Sequence, residues 1–98
     1  MEIEFADAKL TRLYTDRSFT AGLSPALVKA FRKVAQAIRA AADERDLYAR
    51  PALRFERLSG KREHEHSLRL NDQYRLIIEL TGAAPNKTVR VTKIEDYH

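Results

Sequence analysis

Past the opening "MEIEF", the apolar residues of this chain change period at Pro51. Before it, Leu27, Phe31, Val34, Ile38 and Ala41 follow the 3, 4, 3, 4 spacing of a helix that buries one stripe. After it, apolar and polar side chains alternate, the period of a strand with one buried face. A chain that switches in this way segregates its helices from most of its strands, the pattern of an α+β fold.

The segments fill in that order. "MEIEF" alternates Ile3 and Phe5 against Glu2 and Glu4, the pattern of a short edge strand. "ADAKLTRLYTD" places Leu10, Leu13 and Tyr14 at helical spacing. "RSFTAGLS" is a loop punctuated by Gly22. "SPALVKAFRKVAQAIRAAADERDL" is the strongest element, with Ser24 as cap and Pro25 at the first helical position. Its opposite face, Lys29, Arg32, Lys33 and Gln36, reads as a solvated basic face.

Beyond Pro51, "LRFERL" buries Leu53 and Phe55. "HEHSLRLN" turns Leu68 and Leu70 inward and Ser67, Arg69 and Asn71 outward. "YRLIIELT" turns Tyr74, Leu76, Ile78 and Leu80 inward and Arg75, Ile77 and Glu79 outward. The "NDQ" link joins these two as a hairpin. "TVRVTKIED" is the last strand, and the jump from Val91 to Ile94 predicts a bulge or two-sided burial. The expectation is one domain over residues 1–98. Two N-terminal helices pack on a twisted, mainly antiparallel sheet whose other face is open, polar and basic.

Lys and Arg number eighteen against fourteen acids, giving a net charge of +4 and a pI near 9.6. That balance suits a polyanionic partner such as nucleic acid, and equally an ordinary soluble surface. The absence of Cys rules out a disulfide framework or a thiolate metal site and fits the cytoplasm. No apolar run approaches the ~20 residues that span a bilayer, so no membrane is expected.

The outward face carries the chemistry. Lys61, Arg62, His64 and His66 precede the third strand, and Arg69 and Arg75 lie on paired strands. The chain ends on "EDYH", which brings Asp96, Tyr97 and His98 near them. Metal-free RNA cleavage needs a base for the 2′-OH, cations for the charged phosphorane and an acid for the leaving 5′-oxygen. Tyr97 offers a ring on which a base can stack. Each residue also has a plain reading: a terminal His98 exposed, Arg69 and Arg75 paired with Glu79 or Glu65, Lys61 and Arg62 as loop charges. His64 and His66 have no third ligand at metal spacing, so no metal site is expected.

"LSGKREHEHSLRLNDQYRLIIE" and the terminal "IEDYH" carry something more specific. They resemble the HigB toxins of bacterial type II toxin–antitoxin systems, within the RelE/ParE superfamily. The family pattern reads about L-K-G-x-R, then S-[IL]-R-[VL]-N-[DN]-Q-[WY]-R, and ends in [VE]-D-Y-H. "KLTRLYTDRSFTAGLSP" also looks like the family's opening, so the resemblance covers essentially the whole chain. It implies a RelE-like fold and a cofactor-free, ribosome-dependent endoribonuclease that cuts messenger RNA in the ribosomal A site. It implies a HigA-type antitoxin as partner, with operator DNA bound only through the antitoxin complex. Asp96, Tyr97, His98 and Arg75 take the catalytic roles, and Lys61, Arg62, Arg69 and Asn71 contact RNA or phosphate.

Two positions depart from the family. Glu56 stands where some members have a catalytic histidine, and Ser59 where L-K-G has its lysine, with Lys61 two positions later. Losing a cation beside the scissile phosphate costs on the order of ten- to a thousandfold in rate. Two other readings therefore stay open: a ParE-like toxin that binds DNA gyrase without chemistry, and a catalytically weak homologue that only binds antitoxin.

Overall fold

Two capping side chains start the first two helices. At the head of α1 (Ala8–Thr15), Asp7 Oδ1 accepts from the Leu10 amide at 2.8 Å. At the head of α2 (Pro25–Ala40), Ser24 Oγ accepts from the Leu27 amide at 3.2 Å. These bonds satisfy amides that have no partner inside the helix. The protein is described from a computed structural model, which covers residues 1–83 and 86–97.

The expected stripe of α2 is the core: Leu27, Phe31, Val34, Ile38 and Ala41 are all buried, Phe31 and Ile38 completely. The segment does not run on as one helix to Leu47. It ends at Ala40, and Asp43 caps a separate short helix, α3 (Glu44–Tyr48), by accepting from the Arg45 amide at 2.9 Å. Local side-chain capping outcompetes helix continuation there. The basic face of α2 also needs a correction. Arg32 is half-buried and donates to the carbonyls of Leu13, Asp16 and Phe19 at 3.0–3.1 Å, where α1 ends. It closes acceptors that α1 leaves open, at the negative end of that helix's dipole.

The sheet has five strands: β1 (Glu2–Phe5), β2 (Glu56–Arg57), β3 (Glu65–Arg69), β4 (Tyr74–Thr81) and β5 (Thr88–Asp96), in the order β1-β5-β4-β3-β2. β1 is an edge strand and runs parallel to β5, while the other neighbours are antiparallel. The sequence expectation of a strand through Leu53 and Phe55 shrinks to two residues. Pro51–Leu53 forms a 3-10 turn instead, although Leu53 and Phe55 are buried as expected.

The inward set packs on the helices: Leu68, Leu76, Ile78, Val89 and Val91 are fully buried in one cluster with Phe31 and Ile38. The expected break in β5 is a register shift: Ile77 pairs with Lys93 and Ile78 with Val91, leaving Thr92 as the extra residue. Thr92 Oγ1 donates to Ile77 O at 3.1 Å and stitches the bulge.

The outward face is not wholly open. Ile77 and Ser67, both expected on it, are 0% and 1% exposed. Arg62, from the 3-10 turn Gly60–Arg62, reaches to Glu65 on β3 and to Glu95 on β5. That diagonal crosses the row formed by Ser67, Ile77 and Lys93.

Candidate nucleic-acid interface

Cross-strand register brings Arg69, Arg75 and Glu95 into one outward row, since Arg69 pairs with Arg75 and Arg75 with Glu95. Two residues beyond Glu95, the Tyr97 amide donates to Gln73 O at 2.7 Å and extends the pairing past the end of β5. Tyr97 is 44% exposed, and its ring lies with its centroid 4.9 Å from Arg75 Cζ. A guanidinium over an aromatic face is attractive and holds both groups in place. One nitrogen of Arg75, Nη1, is buried without a hydrogen-bond partner. A buried charged donor left unsatisfied is costly.

Beside this pair runs a shallow groove of about 530 Å³, lined by Arg54, Arg69, Arg75, Asn71 and Asp72 among others. Arg69 pairs with Asp72, which is almost fully exposed. Asn71 Oδ1 accepts from the Gln73 and Tyr74 amides at 2.8 and 2.7 Å, so its oxygen shapes the hairpin and its amide group is what remains for a ligand. A larger hollow of about 830 Å³ lies away from these residues, along β1 and α1, and none of the expected site residues lines it.

Other expected residues fall outside the groove. Lys61 is exposed in the turn Gly60–Arg62. Arg62 is engaged by carboxylates: Nε donates to Glu65 at 2.6 Å, Nη1 and Nη2 to Glu95 at 3.1 and 2.9 Å. Those bonds, Glu95 first, raise the Arg62 pKa, and Arg62 in turn holds the Glu95 carboxyl below its usual range. Asp96 pairs with Tyr74, on the helix side of the sheet, and its Oδ2 accepts from Gln73 Nε2 at 3.0 Å. His98 lies outside the described residues. His64 is exposed, whereas His66 stacks on Phe55 at 4.9 Å on the inner side, and burial lowers its pKa.

Arg54 was absent from the sequence-derived set. It follows the Pro51–Leu53 turn, donates its amide to Pro51 O at 3.1 Å and adopts φ 44°, ψ 51°. The left-handed region costs a non-glycine residue about 1–2 kcal/mol. No period in the sequence marks it: a turn ahead of the two-residue β2 places Arg54, and the groove it shares with Arg69 emerges only in the fold.

Comparison with known proteins agrees with the fold and the sequence motifs. A model of the RelE-like toxin of type II toxin–antitoxin system HigB matches residues 3–98. Toxin HigB-1 of Vibrio cholerae is 38% identical over 91 residues, which cover 88% of this chain and 92% of that toxin. A YoeB/ParE toxin from Agrobacterium tumefaciens superposes over the whole of both chains with a TM-score of 0.61 at 13% identity, a likeness of fold. Among the described residues no helix is long and apolar enough to cross a membrane. The RelE-like fold and the match along nearly the full sequence lead to one conclusion: the chain belongs to the HigB toxins of the RelE/ParE superfamily, the toxin half of a type II toxin–antitoxin pair whose other half is an antitoxin protein.

Proposed function

We propose that this toxin is a ribosome-dependent endoribonuclease that cuts messenger RNA in the ribosomal A site, in the cytoplasm and without a metal. A HigA-type antitoxin neutralises it, and operator DNA is bound only through the antitoxin complex. The observation that supports the reading is Tyr97 seated over Arg75 on the outward face, beside Arg69 and a groove open to solvent.

The chemistry follows from that arrangement. A base takes the 2′-OH proton, the 2′-oxygen attacks phosphorus, and the P–O5′ bond breaks as an acid protonates the leaving oxygen. The products are a 2′,3′-cyclic phosphate and a 5′-hydroxyl. Arg75 and Arg69 stabilise the charge that grows on the phosphorane oxygens. Arg75 reaches the phosphate from the groove it lines, and Arg69 must first release Asp72. Tyr97 presents its ring to a neighbouring base. His98 is assigned the proton transfer from the sequence, as the side chain that titrates near neutral pH. Asp96, bonded to Gln73, steadies the tail that carries it.

Primer extension on message recovered from programmed ribosomes tests the reading. Wild-type toxin gives codon-positioned cuts, and His98→Gln lowers cleavage by about a hundredfold with ribosome affinity nearly unchanged. Intact message together with DNA-damage signalling would instead mark a gyrase inhibitor.

A further inference from the structure

We infer that Arg54 is a third phosphate ligand, which with Arg69 and Arg75 forms a clamp for successive phosphates of single-stranded RNA. This rests on the nuclease reading above and extends its footprint along the strand, beyond the scissile phosphate.

Three observations converge on Arg54. It lines the same groove as Arg69 and Arg75, whereas Lys61, a cation expected there from the sequence, does not. It is exposed, and among the described residues no carboxylate pairs with it. Arg12, Arg45, Arg62, Arg69 and Arg90, by contrast, each have an acidic partner. Its backbone is left-handed, a conformation that among the described non-glycine residues only Ala21 shares. Glycine would sit there without strain, yet the position holds a long cationic side chain.

Phosphate fits this groove better than a protein carboxylate. Guanidinium forks match phosphate oxygens in pairs, and three of them line one hollow. The Tyr97 ring over Arg75 adds a stacking face, which a nucleic-acid base uses and an acidic peptide does not. The single carboxylate in the lining, Asp72, is exposed at the rim, where an incoming phosphate can displace it from Arg69.

The test uses the full-length toxin and a short single-stranded RNA with 2′-O-methyl riboses, which cannot be cut. Binding is read by fluorescence anisotropy across a KCl titration, for wild type, Arg54→Gly and Arg54→Lys. Arg54→Gly should weaken binding several-fold and reduce the magnitude of the salt slope by about 0.7, the loss of one phosphate contact. Its melting temperature should hold or rise, because glycine relieves the strained backbone. Arg54→Lys should keep most of the slope, since the charge remains. A wild-type slope in Arg54→Gly overturns the inference, as does weakened antitoxin binding with RNA binding unchanged. Uncut message on ribosomes treated with wild-type toxin defeats the nuclease reading separately, whatever the anisotropy shows.

Discussion

Arg62 and Glu95 meet in a two-pronged contact across β4, Nη1 to Oε2 at 3.1 Å and Nη2 to Oε1 at 2.9 Å. The strand between them carries Arg75 and Ile77, so the pair ties β5 to the turn before β3 above the buried middle of the outward face. A sequence reading assigns Arg62 to phosphate. Its place in the fold assigns it to two carboxylates, and Arg54 lines the groove instead.

Glu95→Gln should therefore destabilise the fold while leaving a cooperative transition. The Arg62 side chain is 39% exposed, and solvent screening limits the loss to about 1 kcal/mol. The Glu95 pKa lies below its ordinary 4.5, so the contribution is present above that pH and is lost as pH falls through the lower, folded value. Urea titrations at neutral and acid pH check both points: wild type and variant should differ near pH 7 and converge in acid.

His66 should give the opposite kind of group a visible signature. Its Nδ1 is buried without a partner, and desolvation lowers its pKa from 6.5, with Glu44 opposing and Arg57 and Lys87 adding to the shift. A base with a depressed folded pKa binds more protons when unfolded. Stability is then full above 6.5 and declines as pH falls below it. His66→Phe keeps a ring on Phe55 and removes the orphaned nitrogen. Denaturation curves between about pH 5 and 7 should flatten in this variant, with a gain of about 1 kcal/mol at the acid end.

Arg32 holds the end of α1 through the carbonyls of Leu13, Asp16 and Phe19. Arg32→Met keeps the aliphatic stem and removes the donors. A loss of about 2 kcal/mol is expected, the scale of hydrogen bonds to a charged group. Denaturant midpoints should fall, while RNA cleavage per folded molecule stays at the wild-type level.

Tyr97→Phe and Tyr97→Ala divide the ring from its hydroxyl. The ring over Arg75 survives in the first and not in the second. Loss of ring contact is worth about 0.5–2 kcal/mol, or about two- to thirtyfold in RNA affinity for Tyr97→Ala. Tyr97→Phe should bind RNA like wild type. Cleavage assays beside the binding curves show whether the hydroxyl adds anything to the rate.

The core stripe of α2, the inward residues of β3 to β5 and the bulge near Thr92 were all legible, because each is written as a period or as a break in one. The fold brings the motif residues Arg69, Arg75 and Tyr97 together on one face of the sheet. What escaped depends on competition between local contacts. Asp43 capping α3 wins over helix continuation, and the left-handed Arg54 is set by a turn rather than by alternation. Arg62 illustrates a third limit: a cation's partner is chosen by three-dimensional neighbours, and Glu95 lies far along the chain.

The parallel pairing of β1 with β5 sets an order on the entropy of assembly. Glu2 pairs with Thr88, closing a loop about twelve times longer than the one between Thr81 and Thr88. On a logarithmic scale that closure costs about 2 kcal/mol more. The meander from β3 to β5, which carries Arg69, Arg75 and Tyr97, is held by near neighbours. The first strand of the chain thus docks at the greatest entropic cost, on the far side of β5 from the arginines. Lesions in β1 should weaken the docking of the sheet's edge long before they disturb the face that holds Arg69, Arg75 and Tyr97.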